Sequence, residues 1–180
     1  GGLDWRDHPR VISHSMVASA ARPASLALTQ TGPLQLYSTM ELLQFAPPAW
    51  LVQDILPAGG FIGCYGDSYT GKSYLAIDLA LCIASGVPWH GHDVTPGFVV
   101  YVAAEGGYGI RKRVQAWCTL NQVNPHVPQI GWLLQSLSIA PLSEEVDILC
   151  RRLNEELETQ PSLIVIDTLS RSFGGEDENT

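Results

Sequence analysis

Eight residues, Gly66-Asp67-Ser68-Tyr69-Thr70-Gly71-Lys72-Ser73, fit the spacing G-x-x-x-x-G-K-[ST] without a mismatch, and they dictate what can surround them. Glycine at each end permits a tight loop whose backbone amides turn inward. Inward amides make a concavity for an anion. A helix opening at Gly71 aims its unsatisfied N–H groups and positive dipole end at the same anion. Such a loop needs a strand before it and a helix after it. Phe61-Ile62-Gly63-Cys64-Tyr65 is a short apolar run between Gly59-Gly60 and Gly66, which predicts a buried strand. Gly71 to Ser85 predicts a helix that is apolar nearly all round, with Leu75, Leu79, Cys82 and Ile83 on one face. Gly86 and Pro88 stop it.

Alternation continues downstream. Phe98 to Ala103 predicts a second apolar strand, and Ile110, Val114, Trp117 and Cys118 recur at helical spacing up to about Asn121. Ile130 to Leu134 predicts a third strand. Ser143 reads as an N-cap with Glu144 and Glu145 in the first turn, followed by Val146, Leu149, Leu153 and Leu157 along one helical face. Leu163-Ile164-Val165-Ile166 is a strand rich in β-branched residues. Continuous apolar strands joined by helices predict an α/β fold with a mainly parallel sheet covered on both faces. Ligands of such sheets bind at the carboxyl ends of the strands. Upstream, Tyr37 to Phe45 predicts a short helix ended by Pro47-Pro48. The stretch before it is rich in Ala, Ser, Thr and Pro, so residues 1–35 read as a flexible linker and 36–180 as the folded unit.

The loop residues define candidate chemistry. Gly66, Asp67, Ser68, Tyr69, Thr70, Gly71, Lys72, Ser73 and the adjoining Tyr74 are the candidate phosphate-binding set, with Lys72 reaching β- and γ-phosphates and the Ser73 hydroxyl ligating Mg²⁺. Asp167 follows four apolar residues at a strand end, the place for a carboxylate that holds Mg²⁺, usually through water. Glu105 ends the strand before Gly106-Gly107 and is the candidate general base for an attacking water. The residue after Asp167 is Thr168 rather than a second acid, so the base must come from elsewhere. Neither D-x-x-G nor N-K-x-D occurs, which argues for ATP over a guanine nucleotide.

Composition narrows the partners. Hydrophobic residues make up 46 % and charged residues 16 %, enough for a buried core. A net charge of -8 with Lys+Arg at 10 does not suit a general nucleic-acid surface. Arg111-Lys112-Arg113 is the one dense cationic run; it reads as a solvated helix face, with the Arg113 stem covering apolar surface. Cys64, Cys82, Cys118 and Cys150 have no C-x-x-C spacing and read as buried free thiols of a reducing cytoplasm. His90-Gly91-His92-Asp93 lacks further ligands for a metal site. No apolar run reaches membrane-spanning length. The chain opens Gly-Gly without methionine, so it reads as a piece of a longer protein.

Taken together, these residues resemble the RecA-like ATPases, and most closely the branch of RepA-type hexameric replicative helicases. The resemblance rests on Trp50-Leu51-Val52 leading to Leu56-Pro57 and Gly59-Gly60, the loop Gly66 to Ser73, Val99 to Gly106 followed by Arg111 to Trp117, and Leu163 to Asp167 with Thr168, Arg171 and Gly174 to Asn179. It implies residues 36–180 as the N-terminal part of a RecA-like ATPase domain, a homo-oligomeric ring of six, ATP with Mg²⁺ between neighbours, and single-stranded DNA in the central hole. Glu105 matches the family's catalytic glutamate. The sensor residue, arginine finger and DNA loops would lie beyond Thr180. A small-molecule P-loop kinase and a non-hydrolysing regulatory ATP-binding module remain the alternatives.

Overall fold

The computed structural model describes residues 16–20, 36–104, 107–138, 144–157 and 160–168. Its elements follow the alternating pattern: β1 (Met16–Ala20), α1 (Thr39–Leu43), β2 (Trp50–Val52), β3 (Leu56–Pro57), β4 (Phe61–Cys64), α2 (Lys72–Ser85), β5 (Val99–Ala103), α3 (Tyr108–Leu120), β6 (Ile130–Leu133), α4 (Glu145–Leu157) and β7 (Leu163–Asp167). Among the described residues the main sheet has the order β4-β1-β7-β5-β6, and β2 pairs with β3 in a separate ribbon. Strands β7, β5 and β6 are mutually parallel, with Ala103 opposite Asp167 at the end of the β5–β7 ladder. The chain therefore folds as the α/β, mainly parallel architecture that its apolar pattern demands.

Helices cover both faces. On one side α2 and α3 bury Ile77, Ala80, Leu81, Ile83, Ile110 and Trp117 against Val99, Tyr101, Leu163 and Val165. On the other, Leu149 and Leu153 of α4 pack on Val100, Val102 and Ile166. All five residues of β5 are buried, which is why that strand reads as an unbroken apolar run. Helix α2 ends as its sequence directs, with Gly86 in the left-handed region at φ 71° and its N–H donated to the last turn.

Several local expectations shift. The buried face of α2 is Ala76, Ile77, Ala80, Leu81, Cys82, Ile83 and Ala84, whereas Leu75 is exposed. Alanines let the helix axis approach the sheet closely, so the side nearest the strands is the one with the smallest side chains. Strand β4 is only half-buried: Ile62 and Cys64 face the core, while Phe61 is exposed. It lies at the edge of the sheet, where the second face has no helix above it among the described residues. Met16–Ala20, inside the stretch read as linker, forms β1 and pairs antiparallel with both β4 and β7. The ladder bonds that a strand makes on both edges require no distinctive side chains, so this small-residue segment carried no local signal. Ser143, the expected N-cap of α4, lies outside the described residues, as does everything after Thr168.

The cysteines Cys64, Cys82 and Cys118 are free thiols. Burial, and after it the Asp78 carboxylate, pushes the Cys82 thiol up to about 12. The neutral thiol is thus the form the fold accepts. Its contribution to stability is complete below the ordinary thiol range and is lost only as pH climbs through that raised value.

Because Ala80 is fully buried where α2 meets the sheet, Ala80→Leu is expected to overpack this contact and cost about 1–3 kcal/mol. Urea denaturation followed by circular dichroism measures the loss. Leu79→Ala on the same helix, a half-buried position, serves as the comparison.

Candidate functional site

The loop that joins β4 to α2 carries the Gly66 to Ser73 motif at the carboxyl end of the sheet. Its turn is held by its own groups. Thr70 donates its Oγ1 hydroxyl and its N–H to the Asp67 carbonyl, at 2.8 Å and 3.4 Å. Tyr69 and Gly71 take left-handed backbone at φ 66° and 92°, and this alternation is what turns successive amides toward a common point. Tyr69 projects fully into solvent. At Gly71 a side chain would meet no neighbour, yet the φ value alone makes any other residue strained there. The Lys72 ammonium donates to the carbonyls of Gly66 at 2.6 Å and Asp67 at 2.7 Å. Two of its three N–H donors thus brace the loop, and one is left for a ligand.

Across from the loop stands the tip of β7. Ser73 Oγ donates to Asp167 Oδ1 at 3.1 Å, joining positions 94 residues apart. The buried Tyr101 hydroxyl donates to the other oxygen, Oδ2, at 2.7 Å. Burial, then the Asp167 charge and its hydrogen bond, push the Tyr101 phenol far above the usual tyrosine range, while the Arg113 charge opposes them weakly. Tyr101 is accordingly a donor at any working pH. Its ring leans on Trp132 of β6, with centroids 5.1 Å apart. Ala104 donates its N–H to the Asp167 carbonyl at 2.8 Å, which ties the tips of β5 and β7 together.

Residues 68–74 with Arg113 and Thr168 line one cleft of about 470 Å³, which opens on this constellation. A phosphate-sized anion entering it meets backbone amides, the α2 N-terminus and two cations. The sequence profile of the AAA domain matches residues 34–180. The chain belongs to the AAA domain family. No curated protein and no solved structure matches it. As an AAA domain it is a P-loop ATPase-type nucleotide-binding protein.

A divalent cation suits the AAA domain's donor set. Ser73 Oγ and Asp167 Oδ1 are neighbouring hard oxygens, the kind Mg²⁺ takes while keeping most of its waters. No group of three or more His, Cys, Asp or Glu side chains gathers among the described residues, so a site needing many protein ligands is not formed there. His90 and His92 are engaged elsewhere, the first with Asp78 at 3.2 Å and the second with the Gln53 carbonyl at 3.0 Å. Glu105 and Gly106 lie outside the described residues.

Two residues, one buried behind the cleft and one lining it, have contacts that the sequence did not disclose. Tyr101 looks like core in an apolar strand. Arg113, expected to lay its stem on apolar surface, is half-buried; what the sequence did not disclose is that its guanidinium sits over the Tyr74 ring, 4.4 Å from the centroid, at the cleft wall. A larger cleft of about 670 Å³ flanks α3 beside Ile110, Arg111 and Cys118. It is mostly apolar and has none of the loop's phosphate-binding groups.

Asp167 is 8 % exposed and depends on Tyr101 for its Oδ2 partner. Tyr101→Phe removes one hydroxyl and leaves that oxygen buried without its donor. The expected cost is about 1–3 kcal/mol of stability, measured by chemical denaturation. An unchanged midpoint would mean that this hydrogen bond contributes nothing.

Proposed function

We propose that the AAA domain hydrolyses ATP with Mg²⁺ and drives a DNA helicase or RecA-like replication or recombination protein. The observation that carries the hydrolytic reading is that Lys72 and Ser73 line one cleft at the carboxyl ends of the strands and that Ser73 is hydrogen-bonded to Asp167. Gly66 to Tyr74 bind the triphosphate, with loop amides and the α2 N-terminus on its oxygens and the remaining Lys72 N–H on the β/γ bridge. Ser73 and Asp167 hold the metal; when bound, Mg²⁺ neutralises charge that develops on the phosphoryl oxygens. Ser73's hydroxyl would ligate the metal, and Tyr101, donating to Oδ2, holds the carboxylate in place.

Glu105 is the base in this reading. It comes two residues after Ala103, the partner of Asp167 at the end of the β5–β7 ladder. From there it accepts the proton of the attacking water as the γ-phosphoryl group is transferred. Among the described residues the β7 tip supplies no second acid, since Asp167 is followed by Thr168.

The motor role is supported by the resemblance of Trp50 to Asn179 to the RepA-type helicases. In that setting residues 36–180 are the N-terminal part of a RecA-like domain, subunits form a six-membered ring, and single-stranded DNA is the partner. Arg111 and Lys112 are exposed on α3 and available to a nucleic acid or a neighbouring subunit. The free cysteines fit a reducing cytoplasm, and no helix among the described residues is long and apolar enough to cross a membrane.

Two substitutions separate binding from chemistry. Lys72→Ala is expected to weaken ATP binding by about tenfold or more, read by calorimetric titration. Glu105→Gln is expected to leave ATP affinity unchanged and lower turnover by about 10²–10⁴-fold in the intact protein. Full turnover by Glu105→Gln assigns the base to another residue. Stimulation by single-stranded DNA tests the motor, and an ATPase rate indifferent to DNA argues against it.

A further inference from the structure

Of the three consecutive cations on α3, two behave as a solvated face and one does not. Arg111 and Lys112 are exposed, whereas Arg113 is half-buried and lines the phosphate cleft with Ser68 to Tyr74 and Thr168. No carboxylate among the described residues lies within salt-bridge distance of its guanidinium; its recorded partner is the Tyr74 ring, 4.4 Å away. Tyr74 belongs to the first turn of α2, directly after the metal-site serine. A cation held half-buried at the wall of an anion cleft, with no carboxylate paired to it among the described residues and only the field of the nearby Tyr101–Asp167 pair acting on it, gains a direct partner when an anion arrives.

The position of Arg113 says which part of the anion it meets. It shares the cleft wall with Thr168, the residue after Asp167. Ser73 and Asp167 would hold the metal, and Thr168 and Arg113 line the same cleft beside them, so in this reading that wall takes the outer phosphate of a triphosphate. Lys72, meanwhile, commits two of its donors to Gly66 and Asp67. One remaining N–H does not match the several oxygens of a terminal phosphate, and a planar guanidinium does.

We propose that Arg113, steadied on the Tyr74 ring, binds the terminal phosphate from within the same chain and makes the site discriminate nucleoside triphosphate from diphosphate. This rests on the reading of Gly66 to Ser73 as the phosphate site. The cation is supplied in cis by the helix that follows β5, so triphosphate recognition does not wait for a neighbouring subunit. Tyr74 keeps the guanidinium aimed at the cleft while the site is free, because the ring face attracts the cation without neutralising it.

The test is nucleotide binding by the intact protein with Mg²⁺, using ATP, ADP and inorganic tripolyphosphate as probes. Arg113→Met retains the apolar stem on the ring and removes the charge; Arg113→Lys retains a point charge. Arg113→Met is expected to bind ATP and tripolyphosphate about tenfold or more weakly while ADP affinity moves less than about twofold. Arg113→Lys should fall between Arg113→Met and the unaltered protein. Thermal melts without nucleotide establish that each variant is folded. Equal losses on ATP and ADP, or no loss on either, would overturn the proposal. Lys72→Ala run alongside separates the two levels: if it also leaves ATP affinity intact, the phosphate site itself is misassigned, and if it alone weakens binding, only the role of Arg113 falls.

Discussion

The carboxylate of Asp167 sits almost out of solvent at the tip of a central strand, and the arrangement of the whole site follows from making that tolerable. A buried charge needs donors on its oxygens. Here one donor comes from the neighbouring strand, Tyr101, and the other from the first turn of the helix after the loop, Ser73. Three elements are thereby brought to a common point: β5, β7 and the start of α2. The same two bonds, one to each carboxylate oxygen, fix the plane of the group. Stability and chemistry are joined at this residue, because the group that would hold a metal is also the group whose desolvation the neighbours must offset.

The packing behind that point is what keeps it in place. Helix α2 lies on the sheet through Ala76, Ala80 and Ala84 as well as through its larger side chains. Its first turn meets the tip of β7 through the hydrogen bond of Ser73 to Asp167. On the opposite face, α4 closes the second half of the core through Leu149 and Leu153. The sheet is therefore rigid on both sides at the level of the site, and the loop between β4 and α2 inherits its position from elements that are themselves well packed.

How much of this could be read in the sequence depends on how local each cause is. Gly66 to Ser73 declares itself because a tight loop, its glycines and its lysine are neighbours in the chain. The strands β5 and β7 declare themselves because burial on both faces leaves only apolar residues. Asp167 is visible as an acid at the end of such a strand. Tyr101 is not, since a buried aromatic in a strand looks the same whether or not its hydroxyl has a partner 66 residues away. The partial burial of Arg113 could be read from its helical face, but its place over Tyr74 at the cleft could not, because helical periodicity gives the face of a side chain and not what stands opposite that face. The alanine contact of α2 was overlooked because hydrophobic size was weighed above closeness of approach. Strand β1 had no signal because its pairing is a matter of backbone bonds alone.

The contacts of Lys72 with Gly66 and Asp67 have a kinetic side. A loop stitched to itself by an ammonium group has already given up most of its freedom before any nucleotide arrives. Little remains to be ordered at the moment of encounter, so association is governed by diffusion and by the field of the cleft rather than by a slow search among loop shapes. Release is then the step at which affinity is set.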